Sequence, residues 1–231
     1  MKSFEDYIIV HPNVIDSDFC DKIIEKFESD DRCIDGQVSG GNDTNMKISL
    51  DLNITSHSDW GDIDSQLSDS LMPYFNEYSN FIEEHTHKTT GKFLRHDSGY
   101  QIQKTSPGGL YNWHDDSFIS TIPDTYYTDN VGTTQGWMAE RIYTFILYLN
   151  DRGDDVENGR TQFYNSGISK SIVPKAGKLL LFPASPFWVH RGEPLTSGVK
   201  YLITGWVSFA RSSRLTELHS DQMEVIRGIC K

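Results

Sequence analysis

The sequence has few cysteines, and their arrangement excludes two common kinds of site. The chain contains three, at Cys20, Cys33 and Cys230, and none of them forms a C-x-x-C pair. Zinc knuckles and thioredoxin-type redox sites both need such a pair. We therefore expect a soluble protein of a reducing compartment.

Long hydrophobic runs are also missing. No stretch approaches the roughly 18 apolar residues that a membrane-spanning helix needs. The apolar stretch near the N-terminus is broken by His11 and Pro12, so it lacks the hydrophobic segment of a signal peptide. These two absences predict a cytoplasmic protein without a membrane span.

Basic residues are too few for a protein that binds nucleic acid through its backbone. The chain has 21 Lys and Arg against 33 Asp and Glu, a formal net charge of -12. Non-specific nucleic-acid binding depends on basic side chains that contact phosphates. Nucleic acid is therefore not an expected partner, and no pattern in the sequence indicates an oligomeric state.

The length of 231 residues fits one large domain of the barrel or sandwich kind. Hydrophobic residues at 37% and aromatic residues at 12% are enough to build a core. We predict one domain over residues 1–231. It has a helical N-terminal part to about residue 90, a β-rich core over about 91–210, and a C-terminal helix over about 212–229.

Residue periodicity supports this division. Asp16 and Ser17 precede a helical pattern, as helix caps do, and a longer amphipathic pattern runs from Asp62 to about His85, with Pro73 inside it. Residues 45–54 alternate with period two and predict a strand. Further short strands between turn signals are predicted at 100–104, 140–149, 170–173, 178–182 and 200–209.

Residues 117–139 do not fit this strand pattern. The segment is long, polar and rich in turn residues, and loops of this length inside a domain are usually functional or disordered. We interpret it as a lid over a substrate, in which Tyr126, Tyr127 and Trp137 contact the substrate. A disordered insertion is the alternative.

The motif H-x-D occurs three times in the chain, beginning at His57, His114 and His219. The copy at His57 approaches a helix, where Ser and Asp are ordinary capping residues. The copy at His219 has no later histidine. The copy at His114 lies among strands, and His190 follows it at a distance that leaves room for several strands.

A metal triad is the interpretation that joins these residues. Two histidines and one carboxylate leave open positions on one side of an iron(II) ion, as non-haem oxygenases require. We predict that His114, Asp116 and His190 bind this metal. Each histidine taken alone is more often a hydrogen-bonded core or surface residue.

Five segments resemble, in order, the prolyl 4-hydroxylase-like branch of the iron(II)/2-oxoglutarate oxygenases. They read YNWHDD, ERIYTFILYLND, ENGRTQF, VPKAGKLLLF and HRGEPLTSGVKYLITGW. The resemblance covers residues 98–208 well and residues 8–30 loosely. It implies a mainly β fold with flanking helices, the double-stranded β-helix or jelly roll of cupin-like proteins.

The resemblance also implies roles for further residues. Lys200 would pair with the distal carboxylate of 2-oxoglutarate, and the hydroxyl of Thr144 would assist it. Thr105 stands where the family often has a tyrosine that contacts the same carboxylate. Tyr111 would lie near the metal and substrate, and Trp206 would line the pocket. A surface lysine, a strand-forming threonine and core aromatics are the competing interpretations.

The implied reaction uses Fe(II), 2-oxoglutarate and O2, with ascorbate as a further reductant. It hydroxylates a substrate, a peptidyl proline by resemblance, and releases succinate and CO2. A hydroxylase of a free amino acid or small metabolite and a non-enzymatic cupin-like metal-binding protein are the alternatives. A protein or peptide is thus the expected partner. The resemblance is to compact bacterial or viral members of the branch, so a viral protein acting in a host cell is one expectation.

Overall fold

The computed structural model describes residues 2–38, 40–86, 94–122, 137–152 and 158–212. For residues 94–96, 119–122, 137–139 and 209–212, it describes the backbone alone. Two α-helices and fourteen β-strands make up the regular structure of this part. The strands are β1 Ile9–His11, β2 Ile34–Asp35, β3 Lys47–Ile48, β4 Leu50–Asn53, β5 Leu94–Asp97, β6 Gln101–Thr105, β7 Leu110–His114, β8 Ile119–Ile122, β9 Trp137–Tyr148, β10 Thr161–Asn165, β11 Ile168–Ile172, β12 Leu179–Pro183, β13 Val189–Gly192 and β14 Lys200–Ser212.

Both predicted helices of the N-terminal part are present. Helix α1 spans Ser17–Glu28, and the Asp16 side chain caps it by accepting a hydrogen bond from the Phe19 amide at 2.7 Å. Helix α2 spans Gly61–Thr86 and continues through Pro73. Each helix buries one apolar face, as the three- and four-residue spacing predicts.

The larger sheet has nine antiparallel strands and carries the helices. Its strand order is β1-β12-β9-β14-β6-β4-β2, with β5 added beside β14 and β8 beside β9. Buried side chains of α1 and α2 form one core with this sheet, among them Phe27, Leu67 and Phe145. The helices therefore cover the outer face of the larger sheet.

The smaller sheet has five antiparallel strands in the order β11-β10-β13-β7-β3. A second core lies between the two sheets and includes Ile146, Phe163, Phe182 and Leu202. Two antiparallel sheets packed face to face, with helices outside one of them, give the predicted double-stranded β-helix.

The N-terminal part contributes more strands than its helical pattern predicts. β1 extends the larger sheet beside β12, and β2 pairs with β4. The predicted strand over 45–54 is divided between the sheets: β3 pairs with β7, while β4 pairs with β6. Residues 1–90 therefore complete both sheets in addition to forming the helices.

The segment 117–139 was only partly a loop. β8 and the start of β9 pair over Ile119–Ile122 and Trp137–Glu140, so both ends of the predicted loop are strands. Residues 123–136, with Tyr126 and Tyr127, lie outside the described residues, as does the predicted C-terminal helix beyond Ser212. The backbone of Trp137 lies in β9, where it pairs with Ser212.

Candidate active site

The small sheet brings the two predicted histidine ligands together. β13 and β7 pair so that His190 lies opposite His114, although 76 residues separate them in sequence. Side chains at directly opposed positions of antiparallel strands lie on the same face, and the two imidazole centroids are 4.2 Å apart. Strand register alone therefore juxtaposes the two rings.

Asp116, two residues beyond the end of β7, completes the predicted triad. Its carboxylate lies 3.8 Å from Nε2 of His114 and 3.4 Å from Nε2 of His190. The three potential ligand atoms all lie within 4.8 Å of one another. Two imidazole nitrogens and one carboxylate at this spacing fit a divalent transition metal with vacant positions.

Hydrogen bonds fix which nitrogen of each ring faces the carboxylate. Nδ1 of His114 lies 2.7 Å from the carbonyl oxygen of Asn112, and Nδ1 of His190 lies 3.1 Å from that of Trp188. A carbonyl oxygen can only accept, so each Nδ1 carries the proton. The lone pair of each neutral ring is then on Nε2, the atom that faces Asp116.

The electrostatics also favour metal binding over a simple ion pair. Burial lowers the pKa of His114 to about 4; the neighbouring His190 acts in the same direction, and Asp116 opposes the shift. Burial tends to raise the pKa of Asp116, but His190, His114 and Thr144 together hold it below its usual value. The site thus combines a carboxylate with an uncharged imidazole at neutral pH, as a cation requires.

The Thr144 hydroxyl contacts the metal triad. Its Oγ1 donates a hydrogen bond of 2.7 Å to Oδ2 of Asp116. The expected role was contact with the distal end of 2-oxoglutarate, near Lys200. In the described structure, Thr144 orients the carboxylate of the predicted ligand Asp116.

Lys200 is buried at the far end of the same space. The residue is 3% exposed, and Nζ donates to the Gly159 carbonyl oxygen at 3.0 Å. Burial lowers its pKa to about 8, while the neighbouring Glu193 opposes that shift. The surface-lysine interpretation is therefore wrong. Thr105 lies opposite Lys200 on β6 and is also buried.

Tyr111 lies against the first ligand. Its ring stacks on the His114 imidazole with a centroid distance of 3.6 Å and an interplanar angle of 14°. Nζ of Lys47 lies 5.1 Å from the Tyr111 ring centroid. Tyr111 therefore fixes the plane of a predicted metal ligand.

Trp206 lines the site together with an arginine. The guanidinium carbon of Arg141 lies 3.5 Å from the Trp206 ring centroid and 4.9 Å from that of Phe118. Phe118 is 46% exposed, so this stack reaches from the cavity wall to the protein surface. Trp206 thus lines the cavity that contains the triad.

One cavity joins these residues. Its volume is about 140 Å³, and it extends from the metal triad to Lys200. The sequence-predicted residues that line it are His114, Asp116, His190, Tyr111, Thr144, Thr105, Lys200 and Trp206. The structure therefore brings together every predicted site residue whose side chain it describes.

Sequence reasoning missed a polar part of the cavity wall. Lys47, Gln101 and Gln103 also line the space, and Lys47 forms a buried ion pair of 2.5 Å with Asp51. The prediction for residues 45–54 considered only the alternating apolar residues of this segment. The one visible signal was that the charged Lys47 and Asp51 alternate with the apolar residues of this segment.

Residues 100–208 match the model of the 2OG-Fe(II) oxygenase superfamily. This segment contains all three residues of the triad and Lys200. Residues 100–208 belong to that superfamily. The family implies Fe(II), 2-oxoglutarate and O2, and the donor set of this oxygenase domain fits the metal.

Two relatives differ in how much of this chain they match. The 2-oxoglutarate and iron-dependent oxygenase domain-containing protein 3 of Xenopus tropicalis is 36% identical over 62 residues, 27% of this chain. The match spans only 20% of that relative's length. A predicted prolyl 4-hydroxylase of Acanthamoeba polyphaga mimivirus is 24% identical over 202 residues, which cover 84% of this chain and 71% of the relative.

A solved structure has a similar fold. A prolyl hydroxylase of Trichoplax adhaerens, solved with a peptide fragment of the hypoxia inducible factor oxygen degradation domain, aligns with a TM-score of 0.58 at 14% identity. The alignment covers 97% of this chain and 87% of that one. The predicted double-stranded β-helix is confirmed.

The described helices give no sign of a membrane span. Neither α1 nor α2 combines the length and the hydrophobicity that crossing a bilayer would demand.

Proposed function

We propose that this protein is an Fe(II)- and 2-oxoglutarate-dependent dioxygenase that hydroxylates a peptidyl proline and releases succinate and CO2. The observation that carries the proposal is the single cavity that joins the His114–Asp116–His190 triad to the buried cation of Lys200. A metal site alone would suit many proteins. A buried ammonium beyond it gives the cavity two ends, which suit a bidentate ligand with a distal carboxylate.

The triad would hold the iron through Nε2 of both histidines and one oxygen of Asp116. When bound, iron together with 2-oxoglutarate and O2 supplies the oxidant for hydroxylation of a carbon–hydrogen bond. The protein's own residues orient these ligands: Thr144 holds the carboxylate, and Tyr111 holds the His114 ring. Phe163 and Phe182 pack around His190 and keep water away from that side of the site.

Lys200 would bind the distal carboxylate of 2-oxoglutarate. Gly192 lies on β13 two residues beyond His190, and a Cβ atom there would lie 3.5 Å from Nζ of Lys200 and 3.6 Å from Cβ of Tyr111. The missing side chain leaves room between the metal triad and the lysine. A buried ammonium that carries no direct ion pair in the described structure can accept a carboxylate without displacing another.

The peptidyl-proline substrate has support from similarity and from the shape of the site. The Trichoplax adhaerens structure holds a peptide, and the mimivirus relative is named for prolyl hydroxylation. In this chain, Arg141, Trp206 and Phe118 form a guanidinium–aromatic stack from the cavity to the surface. Such a stack can hold an extended chain through ring contacts and hydrogen bonds to carbonyl oxygens.

Several finer assignments belong to the same proposal. Ascorbate would act as a reductant, and Tyr126, Tyr127 and Trp137 would contact the substrate from a lid. A cytoplasmic location, an action inside a host cell and a protein or peptide partner likewise stay predictions.

The test is turnover by purified protein supplied with Fe(II), 2-oxoglutarate, ascorbate and O2. A library of proline-containing decapeptides is offered beside free L-proline and other free amino acids. We expect succinate formation together with a gain of one oxygen in a peptide, both measured by mass spectrometry. Oxygen gained only by a free amino acid would move the assignment to small-metabolite hydroxylation.

A matched pair of histidine variants provides the control. His190→Ala removes a metal ligand and is expected to abolish succinate formation while circular dichroism shows a folded protein. His57→Ala alters the H-x-D motif that lies before α2 and is expected to retain turnover. Normal succinate formation by His190→Ala would refute the assignment, and the lack of iron and 2-oxoglutarate binding by the wild type would favour a non-enzymatic cupin-like protein.

A further inference from the structure

One side of the active-site cavity is polar and buried, and the proposed mechanism does not use it. It comprises Lys47 on β3, Asp51 on β4, and Gln101 and Gln103 on β6; we call these four residues the polar wall. The side chains of Lys47 and Asp51 are 3% and 2% exposed, and Gln103 is 9% exposed. Lys47, Gln101 and Gln103 all line the cavity that contains the metal triad.

The polar wall has hydrogen-bonding capacity that the described residues do not fill. Lys47 donates one hydrogen bond, to Asp51 at 2.5 Å, and an ammonium has three N–H groups. Gln103 donates to Gln101 at 2.9 Å, which leaves one amide oxygen and one amide nitrogen of this pair without a partner in the described part of the chain. Gln101 and Gln103 line the cavity, so a ligand or water there can pair with these free amide atoms.

The charge of the polar wall favours a neutral ligand group. The Asp51 carboxylate compensates the Lys47 ammonium and also accepts a hydrogen bond from Ser49 at 2.8 Å. The rest of the wall consists of amides, which carry both donors and acceptors. A peptide amide matches this set, because it is uncharged and presents one N–H and one carbonyl oxygen.

Within the polar wall, Lys47 lies away from the path assigned to 2-oxoglutarate. In the small sheet, β7 lies between β13 and β3. The gap at Gly192 and the Lys200 ammonium lie on the β13 side, while Lys47 lies beyond Tyr111 on β3. Gln101 and Gln103 lie on β6 beside this path, but neither hydrogen-bonds to Lys200 in the described structure. A co-substrate that runs from the triad to Lys200 therefore leaves Lys47 and the amide pair free to contact the second reactant.

We infer that the polar wall binds a main-chain amide of the peptide substrate, with Lys47 donating to its carbonyl oxygen and the Gln101–Gln103 pair completing the contact. The inference rests on the proposed function and deepens it, since it names the chemical group by which the enzyme distinguishes a peptide from a free amino acid. A free amino acid has a charged amine and carboxylate where a peptide has these amides.

The test compares Gln103→Met with the wild type on the library peptide that the wild type turns over fastest. Methionine keeps the length of the side chain and leaves no unpaired charge. A substitution of Lys47, in contrast, would leave the buried Asp51 carboxylate without its ion-pair partner. We expect the KM for the peptide to rise about tenfold, because one buried hydrogen-bonding partner of the amide is lost. The Kd of 2-oxoglutarate, measured anaerobically by calorimetry, should change less than twofold.

Gln66→Met, at an exposed position on α2, is the matched control and should leave both constants unchanged. If Gln103→Met does not fold, as judged by thermal unfolding, Gln101→Met provides the same comparison. An unchanged peptide KM, or a 2-oxoglutarate Kd that rises as much as the peptide KM, would overturn the inference. So would a wild type that uses free L-proline as efficiently as peptides. Absence of succinate from the wild type with every substrate overturns the proposed function as well.

Discussion

Lys200 is the residue on which the assignment of the co-substrate depends. Its ammonium is buried, and its one hydrogen bond in the described structure is to the Gly159 carbonyl oxygen. Burying a cation without a direct ion pair is costly. The protein tolerates that cost at the end of its active-site cavity, where a carboxylate ligand would offset it.

Lys200→Met should therefore weaken 2-oxoglutarate binding while it leaves the metal site intact. Loss of a buried charge-assisted contact typically costs about 2–5 kcal/mol, so we expect the Kd for 2-oxoglutarate to rise at least thirtyfold. Isothermal titration calorimetry of the anaerobic Fe(II) protein measures this change. Lys104→Met, on the neighbouring strand, removes a lysine that pairs with Glu28 outside the cavity and is the control.

The same lysine should make 2-oxoglutarate binding depend on pH. Burial lowers the pKa of Lys200 to about 8, so the free protein loses this charge as the pH rises above that value. A carboxylate ligand favours the protonated form. The Kd should therefore be nearly constant between pH 6.5 and 7.5 and should rise about tenfold per pH unit above pH 8.

Lys200→Arg separates this titration from other effects of pH. A guanidinium keeps its charge throughout the range, so the rise in Kd above pH 8 should disappear in that variant. The free energy of unfolding gives a second measure. The folded form of the wild type binds fewer protons than the unfolded form between about pH 8 and 10.5, so its stability should increase with pH relative to Lys200→Met. A rise in Kd that persists in Lys200→Arg would contradict the assignment of the pH dependence to this residue.

At the residue scale, the chemistry of the metal triad was predictable and the contacts around it were not. His114, Asp116 and His190 could be predicted because residue type, spacing and strand context agree. The hydrogen bond from Thr144 to Asp116 was not predicted, because sequence order does not show which neighbour a hydroxyl faces. Lys47 was missed because its partner Asp51 lies on the next strand, and the chain between them changes from one sheet to the other.

At the scale of elements, helix α2 supports the sheet that positions Thr144 and Lys200. Leu67 lies in the middle of its buried face and has no exposed surface. Leu67→Ala should lower the free energy of unfolding by about 2–5 kcal/mol, because it removes buried methyl groups and leaves a cavity. Chemical denaturation monitored by circular dichroism measures the loss.

The neighbouring position provides the comparison for that loss. Gln66, the residue before Leu67, is exposed, and Gln66→Ala should change stability by less than about 0.5 kcal/mol. Equal effects of the two substitutions would show that the apolar face of α2 does not carry the packing energy.

Helices were easier to predict than strands, for a physical reason. The caps and spacing of α1 and α2 are local, so the sequence contains the whole signal. β1, β2 and β8 are short and are formed by pairing with strands that are distant in sequence, such as β1 with β12. Their stability comes from the partner, and no periodicity over two to four residues can indicate it.

At the scale of the whole molecule, ligand binding should stabilise the fold. Anything that binds only the folded protein raises the free energy of unfolding by RT ln(1 + [L]/Kd). We expect Fe(II) and 2-oxoglutarate under anaerobic conditions, each at about 100 times its Kd, to contribute roughly 2.7 kcal/mol apiece. Differential scanning fluorimetry should show a higher midpoint temperature that a chelator reverses, and Asp116→Ala should abolish the metal-dependent part.

The opposed positions of His114 and His190 have one more consequence. An ion held by both imidazoles clamps β7 to β13 at the point where their pairing shifts register, between His190 and Gly192. Loss of the ion would loosen that junction first, and amide hydrogen exchange in the five-stranded sheet should accelerate while the helix-covered sheet stays protected. The metal would then also stabilise the pairing of β7 and β13 in the five-stranded sheet.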